Sequence, residues 1–339
     1  MHVFELTRRL IDIESITPNE REIGNFLATC LEGLARRFDG SFERMSVEPE
    51  RDNVFVQFGQ PEVVLSTHMD TVPPFIPSRE DDTHVWGRGA CDTKGIIAAM
   101  MTAAEELLES GHNGFGLLFV VGEERNSAGA LAAARDSRGS KFLVNGEPTE
   151  NKLALGSKGA LRYEIVARGR MAHSAYPELG DSAIEKLLNA LERIRDIKLP
   201  VDEILGASTL NIGTISGGRA PNVIADEARA EIFVRVVGEV RELRQQIEAA
   251  AQPDAEAQEV LFIPAVRLNS IAGFETTVVA YTTDIPAFEG NWGQPFLIGP
   301  GSIHVAHTAE ERIPKSQLIE SIGLYKQLVE RLSAQAQAA

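Results

Sequence analysis

Leu117-Leu118-Phe119-Val120-Val121-Gly122-Glu123-Glu124 sets five apolar residues before a glycine and two adjacent acids. A short apolar run closed by a glycine reads as a buried strand, so both carboxylates stand at a strand exit. The arrangement recurs along the chain. His68 follows Val63-Val64-Leu65, Glu147 follows Phe142-Leu143-Val144, and His307 comes after Phe296-Leu297-Ile298. Asp92 lies in Gly87-Arg88-Gly89-Ala90-Cys91-Asp92-Thr93-Lys94-Gly95, where the glycines permit a tight backbone path ahead of a helix. Open α/β sheets place their sites beyond the carboxyl ends of their strands. Six such candidates point to a hydrolytic metal centre.

Working outward, residues 3–13, 20–35 and 95–109 read as helices, and residues 54–58 and 63–66 as strands. This alternation predicts an α/β fold with a mostly parallel sheet and helices on both faces. Ile97, Met100, Met101, Ala104 and Leu108 recur at helical spacing, so the 95–109 helix lays one face on that sheet. Beyond Ser157 the texture changes. A strand at 160–167, a helix at 181–195, strands at 208–215 and 227–237, a helix at 239–251 and a strand at 260–266 give the order β-α-β-β-α-β, an α+β ferredoxin-like unit. Apolar strand signals resume at 277–281 and 296–298, and a helix is expected over 315–332, with a frayed Ala/Gln-rich end after Ser333. The expected organisation is a discontinuous domain of residues 1–157 and 269–339 with residues 158–268 inserted, and hinges near 157–159 and 269–273.

The 339 residues suffice for two domains. Lysine and arginine total 33 against 49 acids, a formal charge of −16, which argues against nucleic acid and against an anionic membrane surface. The first ten residues lack signal-peptide features, no apolar run approaches a membrane span, and Cys30 and Cys91 have no ligand-like spacing. A cytoplasmic protein is expected.

In Ser66-Thr67-His68-Met69-Asp70-Thr71-Val72-Pro73, His68 and Asp70 project to one side of an extended chain, so Asp70 can orient the imidazole. The plain alternatives are a buried histidine at His68, a helix N-cap at Asp92 and a solvated pair at Glu123-Glu124. Two histidines and three carboxylates supply the ligands of a close pair of divalent ions. A sixth group, Glu123 or Glu124, is then left to move protons.

These segments, with Gly146-Glu147-Pro148-Thr149 and Ala306-His307, strongly resemble the M20 metallopeptidase and deacylase family over nearly the whole chain. The resemblance implies a zinc-hydrolase catalytic domain with an inserted lid and dimerisation domain. It implies two zinc ions, or cobalt in their place: His68 and Glu147 on one, Glu124 and His307 on the other, and Asp92 bridging. Glu123 becomes the general base and acid, with Asp70 supporting His68. Gly169-Arg170-Met171-Ala172-His173-Ser174 matches a lid segment whose histidine, here His173, stabilises the oxyanion, often from the partner subunit. Gly217-Gly218-Arg219-Ala220-Pro221-Asn222 matches a turn whose asparagine contacts substrate, and Arg235 stands where an arginine receives a substrate carboxylate. The stretch from Leu297 to His307 and Tyr281-Thr282-Thr283-Asp284 look like acetylornithine deacetylases. Gly299 and Gly301 would let backbone approach substrate and offer amide donors to an anion. His304 is either a support for the centre or solvent-facing, and is left out of the ligand set. The implied activity is hydrolysis of a small N-acyl amino acid, N-acetylornithine or a relative, by a homodimer. The alternatives are a dipeptidase or carboxypeptidase, a succinyl-diaminopimelate desuccinylase, and a non-catalytic metal-binding protein of the same fold.

Overall fold

The computed structural model describes residues 1–338, which form two compact units. The larger comprises Met1–Leu155, Leu268–Thr277 and residues 283–338; the smaller comprises Gly156–Arg267 and Val278–Thr282. The sequence reading put the boundaries at 157/158 and 268/269, and assigned 278–282 to the larger part.

A six-stranded sheet organises the larger unit, in the order Ser41–Glu48, Arg51–Phe58, Phe115–Val120, Val63–His68, Phe142–Asn145, Gln294–Leu297. The last four strands run parallel to one another, and the first two add antiparallel pairings at one edge. Side chains alternate between faces along each strand. Val63, Leu65, Leu117 and Phe119 therefore join one core with the helices Val3–Ile11, Arg21–Arg37, Gly95–Glu109 and Lys315–Ala338. Val64, Leu118, Val120 and Leu143 face a second core with Ala130, Ala133, Phe288 and Trp292. Apolar packing on both faces explains why these strands read as unbroken hydrophobic runs.

Several elements escape the sequence reading, among them the Ser41–Glu48 edge strand, the short Ala128–Ala134 helix and the small strands His84–Trp86, Leu153–Ser157 and Arg312–Pro314. A further point is a correction. The expected frayed end is helical through Ala338, because alanine and glutamine favour helix and the turn is tied down. Ser333 and Ala336 are buried, and the Ala336 carbonyl accepts from Lys141 Nζ at 2.7 Å.

The smaller unit has one four-stranded antiparallel sheet, in the order Thr209–Gly217, Glu227–Val236, Gly159–Arg168, Glu256–Ile263. Leu161, Tyr163, Ile165, Ile232 and Val234 point to its helix-covered face, where Ala183–Arg195 and Arg241–Ala251 pack. The last strand begins four residues before the expected 260 and carries a register shift at Glu259/Leu261, which breaks the alternation that a sequence reading relies on. Among the described residues, no helix is long and apolar enough to cross a membrane.

Candidate metal centre

The four parallel strands of the larger unit end at one edge of its sheet, and the candidate residues gather there. His68 is the last residue of its strand and is buried. Its Nε2 lies 3.0 Å from Asp92 Oδ1, and its Nδ1 lies 3.0 Å from the Asp70 carbonyl oxygen. The second oxygen of Asp92, Oδ2, lies 3.2 Å from His307 Nε2, and that same nitrogen is 3.1 Å from Glu124 Oε2. Asp92 thus stands between both histidines with one oxygen toward each. Donor atoms of His68, Asp92 and Glu124 all lie within 4.8 Å of one another.

The path through Asp92 is irregular, with φ −125° and ψ 82°, and the helix starts only at Gly95 with Lys94 before it. Asp92 is therefore not the helix cap, and its carboxylate is free for the centre. Thr93 Oγ1 donates to the His68 carbonyl at 2.6 Å, and Thr67 Oγ1 donates to the Gly146 carbonyl at 2.7 Å. These two hydroxyls tie the His68 strand end to the Asp92 loop and to the turn carrying Glu147. Glu147 itself is buried, and its Oε1 has no hydrogen-bond partner among the described residues.

Asp70 lies beside the His68 ring, as the expected support of the imidazole requires, and has a second part as well. The histidine ring meets the Asp70 backbone carbonyl, while the nearest carboxylate oxygen lies farther off, at 3.4 Å. That carboxylate accepts from Thr17 Oγ1 at 2.7 Å and from the amides of Glu123 and Glu124 at 3.1 and 3.2 Å. It fixes the turn that presents the two acids. Burial pushes the Asp70 carboxyl up, but hydrogen bonds and charge from His68, Thr17 and Glu124 outweigh this and leave it below its usual value.

The electrostatics are those of a cation site. Burial pushes the carboxyls of Glu123 and Glu147 well above the ordinary range; His68 opposes this, and neighbouring acids add to it. His307, with hydrogen bonds to Asp92 and Glu124, is held up to about 10. His307 also has a φ of 62°, a strained left-handed backbone for a non-glycine residue at a candidate site. A carboxylate cluster with a buried oxygen left unpaired matches the donor set that divalent ions take.

Sequence reasoning missed Asp284. It is buried, and burial with the charges of Asp70 and Glu124 outweighs Ser127 and His68 and pushes its carboxyl up to about 7. Its only local signal was the Tyr281-Thr282-Thr283-Asp284 segment, which marks no strand exit.

The remaining candidates divide. Gly299 and Gly301 are corrected: both are buried, and their amides already donate to Thr149 Oγ1 at 3.0 Å and Gln317 Oε1 at 2.8 Å. An anion finds no free donor there. Glycine is required for packing instead, since a Cβ would come within 2.6 Å of the Glu147 carbonyl at Gly299 and within 2.5 Å of Cys91 Cβ at Gly301. His304 is exposed. His173 and Asn222 are exposed in the smaller unit, where His173 Nδ1 accepts from the Ala175 amide at 3.1 Å and the Asn222 carbonyl accepts from the Ser174 amide at 3.0 Å. Arg235, partly buried, stacks 4.7 Å over the Phe233 ring, and among the described residues no carboxylate pairs with it.

The family profile of the peptidase dimerisation domain matches residues 155–259. Over 338 residues the chain is 39% identical to a peptidase M20 domain-containing protein of Schizosaccharomyces pombe, covering 97% of this chain and 84% of that one. It is 36% identical over 370 residues to a probable carboxypeptidase of Aspergillus flavus, covering 95% and 86%. In fold it is similar to the aminopeptidase PepT of Bacillus cereus, with a TM-score of 0.81 at 19% identity over 98% of both chains. It is also similar to an M20 family metallo-carboxypeptidase of Sulfolobus solfataricus, with a TM-score of 0.76 at 14% identity over 98% and 99%.

Proposed function

From its membership of the M20 peptidase family, to which this chain belongs, we propose that it is a metal-dependent exopeptidase that removes the carboxyl-terminal residue of short peptides. The observation that carries the chemistry is Asp92, whose two oxygens face His68 and His307 at 3.0 and 3.2 Å beside the unpaired Glu147 oxygen. His68 and Glu147 would hold one divalent ion, Glu124 and His307 a second, and Asp92 would serve both. Such ions, when bound, supply positive charge for the scissile carbonyl oxygen and lower the pKa of the attacking water.

Glu123 takes the proton from that water and gives it to the departing nitrogen. Its place is set by Asp70, which holds the Glu123 and Glu124 amides together. The raised carboxyl of Glu123 suits a group that must hold the proton between the two transfers. Arg235, stacked on Phe233 and without an acid partner among the described residues, receives the substrate carboxylate. Asn222 contacts the substrate backbone, and His173 stabilises the oxyanion. The segment matched by the dimerisation profile makes a homodimer the expected assembly.

Carboxypeptidase names among the relatives support a peptide over N-acetylornithine, which has the same free carboxylate. The test is a panel of di- and tripeptides, N-acetyl and N-succinyl amino acids, incubated with chelator-treated and zinc-loaded protein while free amine is followed. Zinc-dependent release of carboxyl-terminal residues is expected. Turnover of acyl amino acids alone would move the protein to the deacylases, and no turnover of any substrate would sink the enzymatic reading.

A further inference from the structure

Two charged residues that the proposed reaction does not use meet beneath Asp92. Arg88 and Glu311 are 2% and 1% exposed, and Arg88 Nη1 lies 2.5 Å from Glu311 Oε2. The other carboxylate oxygen accepts from the Gly89 amide at 2.9 Å and the Asp92 amide at 3.3 Å. The Glu311 backbone carbonyl accepts from the Gly87 amide at 3.1 Å. One residue therefore receives three main-chain donors of the loop that carries Asp92. Directly after it, Arg312–Pro314 pairs antiparallel with His84–Trp86, so both chains leave the same clasp, one toward Asp92 and the other back to His307.

Only a carboxylate offers two acceptor oxygens to the donors converging here; an amide would turn a donor toward one of them. The arrangement is costly, because a buried ion pair recovers its desolvation only with full hydrogen bonding. Glu311 is also close enough to Asp92 for the two charges to repel. The other side of the centre is anchored separately, His68 by the Asp70 carbonyl and the Glu147 turn by Thr67.

We propose that Glu311, braced by Arg88, is a positioning residue that fixes the Asp92 peptide against the His307 segment and so sets the affinity of the cation held by Asp92, Glu124 and His307. The inference rests on the two-cation reading above.

The experiment is calorimetric titration of chelator-treated full-length protein with Co²⁺, with the visible absorption of the bound ion recorded at each step. Wild type takes up two equivalents. Glu311→Ala and Glu311→Gln bind the second equivalent about 10- to 100-fold more weakly, the usual cost of losing a group that orients a ligand, while the first, which keeps His68 and Glu147, is weakened far less. Arg88→Met combined with Glu311→Gln restores part of the second affinity, because the amide oxygen is then free to turn to the Gly89 and Asp92 amides. Should Glu311→Ala not fold, the Gln variant and the double variant carry the same comparison. Two equivalents at wild-type affinity in Glu311→Gln would overturn the proposal. So would an equal weakening of both equivalents in step with a lower melting temperature, since the clasp would then serve the fold alone. A wild type that binds fewer than two equivalents overturns the two-cation reading, and this inference with it.

Discussion

Glu123 is unusual among the acids of this centre because its backbone is more tightly specified than its side chain. Asp70 grips its amide, and the carboxylate is left to its environment. Glu123→Gln should therefore fold and take up cations as wild type does, yet lose about 10²- to 10⁴-fold in kcat. Full activity in that variant, with metal content measured alongside, would remove Glu123 from the proton path. Asp284 makes a separate prediction. Its carboxyl, raised from 3.8 to about 7 by burial and by its acidic neighbours, binds a proton more tightly folded than unfolded. Its contribution to stability is thus complete below about pH 4 and lost as pH rises through 7. The melting temperature of chelator-treated protein should fall between pH 5 and pH 8, and Asp284→Asn should flatten that fall; an unchanged slope would exclude the group. Neither Asp284 nor Glu311 was legible in the sequence, because each works through partners far away in the chain. Glu311 and Arg88 are 223 positions apart. His68, Asp92, Glu123, Glu124, Glu147 and His307 were legible as candidates because apolar runs or glycines mark each strand exit.

Hydrophobic period decided which elements could be read. The strands Val63–His68 and Phe115–Val120 are fully buried and announce themselves as apolar runs. Ser41–Glu48 lies at the sheet edge, mostly exposed, with little pattern to detect. Ala128–Ala134 is nearly all alanine, so it has no polar face to set against an apolar one. The carboxyl-terminal helix was read over 315–332, and only its last turns were missed: composition suggested fraying after Ser333, while docking decided the outcome. Deleting residues 334–339 takes the Ala336 carbonyl away from Lys141 and removes the buried Ala336 side chain from the core. Thermal or urea unfolding should register a loss of about 1–3 kcal/mol, and an unaltered midpoint would return the segment to a frayed tail. Gly299 and Gly301 carry the complementary lesson, since a glycine that looks available to a ligand was required by neighbouring backbone and Cys91.

Across the whole chain, the alternation of strands and helices was enough for the α/β sheet and for the β-α-β-β-α-β unit, whereas the proposed substrate contacts His173 and Asn222 are exposed side chains that no periodicity constrains. The larger unit also gathers more acids than bases where its strands end. Divalent ions that bind only the folded state should raise its stability by about 2.7 kcal/mol per site at a hundredfold excess over Kd. Adding zinc to chelator-treated protein should thus raise Tm markedly, most of all above neutral pH, and EDTA should reverse the rise and abolish turnover. A Tm indifferent to zinc would leave the acid cluster without a purpose. The order of the sheet bears on synthesis as well. Gln294–Leu297 completes the parallel edge beside Phe142–Asn145, and His307 follows it, with the whole smaller unit translated in between. A nascent chain therefore carries His68, Asp92 and both glutamates on an unfinished sheet long before it owns the last donor. On the proposed reading, the centre is therefore completed only once His307 has been made, after the whole of the smaller unit.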